Sequence, residues 1–97
     1  MTTTNYTSDE LRERLRLAPL ELVAQRVRRA RRTSGLSHDA IGTRMGGTFR
    51  QTLINWEKAK YRPSFDTLAK YAEATGRHVE WFLDPDLDPS PFQEEAA

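Results

Sequence analysis

Four side chains within six residues can hydrogen-bond to the edges of nucleic-acid bases: Arg50, Gln51, Thr52 and Asn55. Arginine can donate two hydrogen bonds to guanine, and glutamine or asparagine can pair with adenine in the same bidentate way. Residues 51 and 55 are one helical turn apart, so they share a face if this segment is helical. The apolar Leu53 and Trp56 would then face a core. Such a helix is either an ordinary surface helix or one that places its polar side in a groove of DNA.

Charge is segregated along the chain, although the net charge is only +1. Residues 1–18 have three basic and three acidic side chains, which gives a net charge of 0. Residues 19–63 have ten basic and three acidic side chains, net +7, and residues 64–97 have two basic and eight acidic ones, net −6. A basic central segment favours a face that meets a polyanion. The alternative is a charge-balanced monomer with solvated faces.

Other kinds of site find no support in the composition. There is no cysteine, and the two histidines lie 40 residues apart without a ligand cluster, so we expect no metal and no cofactor. We also predict no enzymatic activity, because no set of nucleophile, base and acid and no phosphate-binding loop occurs. The N-terminus does not resemble a signal peptide, and no apolar run approaches the ~20 residues that span a bilayer. We therefore expect a cytoplasmic protein without membrane contact.

Caps and breakers predict an all-α chain that starts with two helices. Thr7 and Glu10 have the spacing of a capping box at the start of a short helix, which Pro19 ends. A second helix is predicted over residues 19–32, with one apolar stripe and five arginines on its other faces. Gly35 can provide its left-handed C-terminal cap.

Two short helices around a glycine turn follow in the centre of the chain. Ser37 is the predicted N-cap of the first, and Gly46-Gly47 forces a turn after about eight residues. Thr48 is the predicted N-cap of the second, with Gln51 completing another capping box. Residues 58–62 form a basic loop after it. Two short helices of this kind, the second rich in hydrogen-bonding side chains, indicate a helix-turn-helix.

The remaining sequence predicts two more helices and a tail. Ser64 caps a helix that Gly76 ends, and HVEWFL (78–83) is a short last helix. Residues 84–97 have three prolines and five acidic side chains, which predicts a disordered acidic tail. The expected organisation is an N-terminal extension with a short helix (1–18), a helix-turn-helix domain (19–83) and this tail (84–97).

Three stretches of the chain have the pattern of one known family: RVRRARRTSGLSHDAIGTRMG, TLINWEKAKYRPSFDTLAKYAEATG and GRHVEWFL. They resemble the first half, the second half and the closing helix of the lambda-type repressor (Cro/XRE) helix-turn-helix proteins, a motif whose docking on DNA is well described. The resemblance covers about residues 20–83. It implies a five-helix domain with an extra short N-terminal helix here, and a transcriptional regulator that binds double-stranded DNA. We expect a repressor that binds a near-palindromic operator as a homodimer.

This resemblance also assigns roles to individual residues. It places the base-reading positions at Arg50, Gln51, Thr52 and Asn55. Contacts to the DNA backbone are implied for His38, Thr48 and Phe49, and a salt bridge between helices for Arg31 and Glu57. Independently of the family, basic side chains of the loop are expected phosphate contacts: Lys58, Lys60 and Arg62.

Two departures from the family pattern affect the central helices. Gly47 is one residue more than the family's turn has, which could re-aim the base-reading helix. Ala59 replaces the usual glycine after Trp-Glu-Lys, so the base-reading helix is expected to lack a left-handed cap of low conformational energy.

The last helix raises the question of self-association. Its Trp81 and Phe82 are too large to be buried together with two further apolar residues in so small a monomer, so we predict that they form a dimer interface. Plain core packing is the alternative. A different function would be that of an antitoxin or a phage-type module, which would grip a partner protein through its N-terminal helix or acidic tail.

Overall fold

The computed structural model describes residues 6–87, and this part of the chain contains helices and turns but no strand. The helices are α1 (Ser8–Leu17), α2 (Leu20–Ser34), α3 (His38–Arg44), α4 (Arg50–Glu57) and α5 (Phe65–Thr75). A closing 3-10 helix covers Val79–Phe82. The predicted all-α fold, with a five-helix domain preceded by a short helix, is therefore confirmed.

Most helix ends follow the predicted caps. The Thr7–Glu10 capping box is formed at the start of α1. The Ser37 side chain accepts a hydrogen bond from the Ala40 N–H, and Ser64 accepts one from Thr67 in the same way. Left-handed glycines follow α2 and α5, as predicted for Gly35 and Gly76. These caps fix the lengths of the helices that enclose the core.

A row of four aromatic rings runs through the core. Trp56 of α4 meets Tyr71 of α5 edge-on at 5.8 Å between ring centroids, and Tyr71 meets Phe82 at 6.0 Å. Phe82 in turn meets Trp81 at 5.1 Å. The Tyr71 hydroxyl donates to the Val27 carbonyl at 2.8 Å, so its polar end is satisfied inside the core. Burial raises the pKa of Tyr71 far above its ordinary value, so this donor stays protonated.

The predicted dimer interface at Trp81 and Phe82 is wrong, because both side chains belong to the core. Phe82 is 0% exposed and Trp81 9% exposed. The guanidinium groups of Arg26 and Arg77 lie over the indole, at 5.0 and 3.9 Å from the ring centroid. Arg26 also donates to the Trp81 carbonyl oxygen. Two arginines thus cover a ring that would otherwise form an apolar patch.

The N-terminal extension packs onto the domain through α1. Leu15 and Ala18 are buried in the core cluster. Arg62, from the loop after α4, donates to the carbonyl oxygens of Leu15 and Ala18. Arg12 pairs with Asp66 of α5 at 3.1 Å. α1 is therefore held against both the loop and α5.

The end of α4 adopts a left-handed cap although it has no glycine. Ala59 has φ 58°, and the N–H groups of Ala59 and Lys60 donate to the carbonyls of Trp56 and Asn55 at 3.1 and 3.0 Å. This is the complete Schellman arrangement. The departure from the family pattern does not abolish the cap, but places an L-residue in a conformation that costs about 1–2 kcal/mol.

Ala59→Gly should therefore stabilise the protein. Relief of the left-handed strain exceeds the extra freedom that glycine has in the unfolded chain, so we expect the free energy of unfolding to rise by about 0.5–1 kcal/mol. Urea denaturation measures it. The same substitution at Ala69, inside α5, is the matched control and should destabilise by about 0.5–1 kcal/mol. A loss of stability for both variants would contradict the strain at residue 59.

Residues 84–87 continue the packed structure beyond the closing helix. Leu87 packs against the core cluster, and its carbonyl accepts a hydrogen bond from Arg26 at 2.9 Å. Residues 88–97, which make up the rest of the predicted disordered tail, lie outside the described residues. Within the described range, no helix is long and apolar enough to cross a bilayer.

Candidate nucleic-acid interface

The turn between α3 and α4 is anchored on one carbonyl group. The Gly42 oxygen accepts hydrogen bonds from the N–H groups of Gly47 and Thr48, at 2.9 and 3.0 Å. Gly46 and Gly47 both have positive φ, 97° and 111°, which glycine adopts without steric cost. A side chain at Gly42 would stand 2.1 Å from the Thr48 carbonyl oxygen. The chain that leads into α4 therefore passes directly over Gly42.

The predicted cap of α4 is wrong by one residue. Phe49, not Thr48, is the N-cap, and it makes no side-chain capping bond. The reason is that the Thr48 N–H is held by the Gly42 carbonyl, so Thr48 belongs to the turn. The second capping box is consequently not formed. Gln51 instead donates from Nε2 to Oδ1 of Asn55 at 3.1 Å, across one turn of α4.

The four predicted base-reading residues lie on one short helix and differ in exposure. Arg50 and Gln51 are exposed, while Thr52 and Asn55 are half-buried. Leu53 and Trp56 of the same helix are buried, as their spacing predicts. A charged partner also orients Arg50: its Nη1 lies 3.6 Å from Oδ2 of Asp39 at the start of α3. Both side chains are largely exposed, so the pair orients Arg50 without holding it strongly.

The C-terminal end of α4 is fixed by a group of polar contacts that we call the Glu57 cluster: Arg28, Arg31, His38 and Glu57. Arg31 donates to both Glu57 carboxylate oxygens, from Nε at 2.6 Å and from Nη2 at 3.1 Å. The predicted pairing of Arg31 with Glu57 is thus confirmed. Nε2 of His38 lies 3.1 Å from Oε2 of Glu57, and Arg28 donates to the Glu57 carbonyl oxygen at 3.0 Å. Residues of α2 and α3 therefore jointly fix the position of the C-terminal end of α4.

The electrostatics of the cluster favour the ionised carboxylate. Burial alone would raise the pKa of Glu57, but the hydrogen bonds and charge of Arg31, with a smaller contribution from His38, outweigh it and lower the pKa below its usual value. The Arg31 pKa is raised by its hydrogen bond to Glu57. Side-chain exposure is 22% for Arg31 and 10% for Glu57, so solvent screens this pair less than a surface pair.

Loss of this carboxylate should destabilise the domain. Glu57→Gln leaves the partly buried Arg31 without an anionic partner, and we expect a loss of about 1–3 kcal/mol in unfolding free energy at pH 7. Because the pKa of Glu57 is lower in the folded state, its contribution is present above the unfolded value near 4.3 and disappears as pH falls through the folded pKa.

Urea denaturation at pH 7 and at stepwise lower pH measures both effects. The wild type and Glu57→Gln should therefore converge in stability on acidification. Glu13→Gln is the control, because the Glu13–Arg16 pair is exposed and should contribute little at pH 7. Equal stability of wild type and Glu57→Gln at pH 7 would refute the role of the cluster.

The predicted backbone-contact residues fall into three groups. Lys58, Lys60 and Phe49 are exposed, Phe49 at 80%, and can reach a ligand without rearrangement. Thr48 and His38 are half-buried, the first in the turn and the second in the Glu57 cluster. Arg62 does not fit this role. Its guanidinium donates to two carbonyls at the end of α1, so its charge serves packing there.

Two further cations lie beside this surface. A shallow groove has Arg28 and Arg32 of α2 next to His38 and Lys58. Arg28 and Arg32 are four residues apart, and this spacing in the sequence indicates that they share one face of the helix. Arg26, from the same run of arginines, is buried against Trp81 instead. The arginines of α2 therefore divide between the core and the basic face.

Comparisons with known proteins place this arrangement in a family. A family model described as helix-turn-helix matches residues 27–82, which include the whole of α3, α4 and α5 and the closing 3-10 helix. An uncharacterized HTH-type transcriptional regulator of Methanothermobacter thermautotrophicus is 40% identical over 63 residues, which cover 62% of this chain and 90% of the relative. No solved structure matches the chain. The chain belongs to the Cro/XRE-like helix-turn-helix family of DNA-binding transcriptional regulators.

Proposed function

We propose that the protein is a repressor that binds a near-palindromic operator as a dimer, with α4 in the major groove. One observation carries the proposal. Arg50, Gln51 and Asn55 project from a helix whose opposite face is buried and whose end is fixed by the Glu57 cluster. A rigid helix with a polar outer face fits the recognition helix of this class of domain.

The polar side chains of α4 suit purine bases. Arg50 can donate two parallel hydrogen bonds to guanine O6 and N7. The hydrogen bond between Gln51 and Asn55 aligns their two amide groups, and leaves the Gln51 oxygen and further N–H donors available. An acceptor beside a donor fits the N6 and N7 atoms of adenine. Thr52 is next to Gln51 on the same helix, where its hydroxyl or methyl group can meet a neighbouring base.

Contacts to the DNA backbone would come from both sides of α4. We propose Thr48 and Phe49 at its N-terminal end, and His38, Lys58 and Lys60 at its C-terminal end. Arg28 and Arg32 extend this basic surface along α2. Such contacts set affinity and register but carry no sequence information.

Dimer formation and repression complete the proposal. One domain of this size contacts few base pairs, and two copies related by a two-fold axis read two half-sites about 34 Å apart. Since Trp81 and Phe82 are buried, they are not part of the proposed contact between the copies. A dimer on an operator that overlaps a promoter would exclude the polymerase, which is the proposed mode of repression.

Selection of bound sequences from random duplex DNA tests the proposal. We expect a recovered consensus with two inverted half-sites about one helical turn apart. A single half-site would remove the dimer from the proposal. A protein that recovers no sequence and shows no salt-dependent DNA binding would contradict operator binding altogether, and would favour a protein-binding module.

Substitutions in α4 test the residue roles on the selected operator. Arg50→Ala and Gln51→Ala should each weaken operator binding by about 1–3 kcal/mol and leave binding to random DNA nearly unchanged. Lys58→Gln is the matched control. It should weaken both kinds of binding alike and reduce the salt slope by about 1. Equal losses on operator and random DNA for Arg50→Ala and Gln51→Ala would contradict base reading.

A further inference from the structure

An apolar groove lies between the end of α1 and the turn after the closing helix. Its lining residues are Arg14, Leu17, Ala18, Pro19, Leu83 and Pro85. Ala18 and Leu83 are buried, and the Leu17 side chain stands 64% exposed beside them. A leucine with this exposure next to two prolines presents apolar surface to water.

The groove is distinct from the proposed DNA-binding face. Among the described residues the other exposed large apolar side chains are Phe49 and Tyr61, and both adjoin α4 and its basic loop. Leu17 instead belongs to α1, which precedes the residues of the family match. DNA binding by α4 therefore gives no account of this groove.

The described part of the chain ends two residues after Pro85, a residue of this groove. Pro85 lines it, and residues 88–97 (DPSPFQEEAA) begin three positions later. Phe92 is five residues beyond Leu87 and can lie up to about 18 Å from it. A large apolar side chain is thus tethered within reach of an apolar groove.

Charge at the rim matches the same segment. Arg14 stacks on the Tyr6 ring at 4.1 Å, and within residues 6–87 it has no carboxylate partner. The other arginines of α1 are paired, Arg12 with Asp66 and Arg16 with Glu13. Two glutamates, at positions 94 and 95, follow Phe92 at once.

We propose that Phe92 of the same chain occupies this groove, with Glu94 or Glu95 paired to Arg14. The tether makes even a weak contact effective, because a short linker supplies a local concentration on the order of 1 mM. Docking here places the C-terminal acidic side chains against α1. It keeps them away from the basic surface of α2 and α4, with which they could otherwise compete for DNA.

A fluorine label tests the docking in the 97-residue protein without DNA. 4-Fluorophenylalanine is placed at position 92, or at position 49 as an exposed control, and its relaxation by a soluble gadolinium chelate is measured. With a dissociation constant near the effective concentration, about half of the molecules are docked, so relaxation at 92 should be about twofold slower than at 49. Leu17→Ser, an exposed position, should abolish this protection, and Tyr61→Ser should not.

A charge exchange adds an independent measurement. Arg14→Glu should reduce the protection, and Glu94→Arg combined with Glu95→Arg should restore it in that background. Absence of protection in the wild type overturns the proposal. The proposal is also overturned if protection is lost with Lys58→Gln and Lys60→Gln but kept with Leu17→Ser. That result would place the segment on the basic loop. Protection that rises with protein concentration, together with a doubled mass in sedimentation, would mean a second copy and would equally overturn it.

Discussion

Phe82→Ala should lower the free energy of unfolding by about 3–5 kcal/mol, the range for a buried phenylalanine truncated in a close-packed core. Phe82 is 0% exposed and lies edge-on between Tyr71 and Trp81. The Tyr71 ring cannot move far into the space that the truncation leaves, because its hydroxyl donates to the Val27 carbonyl, and the Trp81 ring is covered by the guanidinium groups of Arg26 and Arg77. The expected loss is a large share of the 5–15 kcal/mol that stabilises a typical domain.

Urea denaturation followed by tryptophan fluorescence measures this loss. Tyr61→Ala is the control, since it truncates an exposed aromatic ring and should change stability by about 0.5 kcal/mol or less. The effect of Phe82→Ala should not depend on protein concentration, because the cavity forms within one chain. An unchanged stability of Phe82→Ala, with only weaker cooperativity on the operator, would restore Phe82 to a dimer interface.

Local features of the sequence predict most of the helix ends. Ser37 and Ser64 at N-caps and Gly35 and Gly76 at C-caps occupy the predicted positions, because each cap depends on the few residues around it. Periodicity predicts the buried faces for the same reason. These elements determine the fold without reference to distant contacts.

Burial of the closing helix could not be predicted in this way. Trp81 is covered by Arg26, which is 55 residues away in sequence, and by Arg77. Arginine side chains are mostly exposed in proteins, so the sequence alone predicts that Arg26, in an arginine-rich helix, is solvated. A long apolar stem and a flat cation can nevertheless cover an indole ring. Only the arrangement of α2 against the closing helix shows which arginine does so.

For a similar reason, some contacts of the candidate site could be predicted from the sequence and others could not. The salt bridge between Arg31 and Glu57 follows from the family resemblance, whereas the contacts of Arg62 with α1 depend on an extension outside the family match. The position of the α4 cap depends on the turn before it, in which the Thr48 N–H donates to the Gly42 carbonyl. The helix that carries the polar residues is thus predictable, and its precise start is not.

Gly42→Ala should have the second large effect, on both stability and operator binding. A methyl group at this position would stand 2.1 Å from the Thr48 carbonyl oxygen and 3.2 Å from its carbon. The obstacle is backbone, which cannot rotate away as a side chain can. The two hydrogen bonds that Gly42 accepts from Gly47 and Thr48 hold that backbone in place. We expect a loss of about 3 kcal/mol in unfolding free energy, the upper range for an overpacked core.

The same clash should displace the start of α4, because Thr48 is directly followed by the N-cap Phe49 and by Arg50. Operator affinity of Gly42→Ala should therefore fall more than its affinity for random DNA, when both are measured where the variant is folded. Gly35→Ala is the matched control. It meets no atom within 4 Å but has φ +73°, so it should cost about 1–2 kcal/mol of stability through strain alone and leave the operator preference unchanged. If Gly42→Ala kept the operator preference of Gly35→Ala, the turn would not set the position of the base-reading helix.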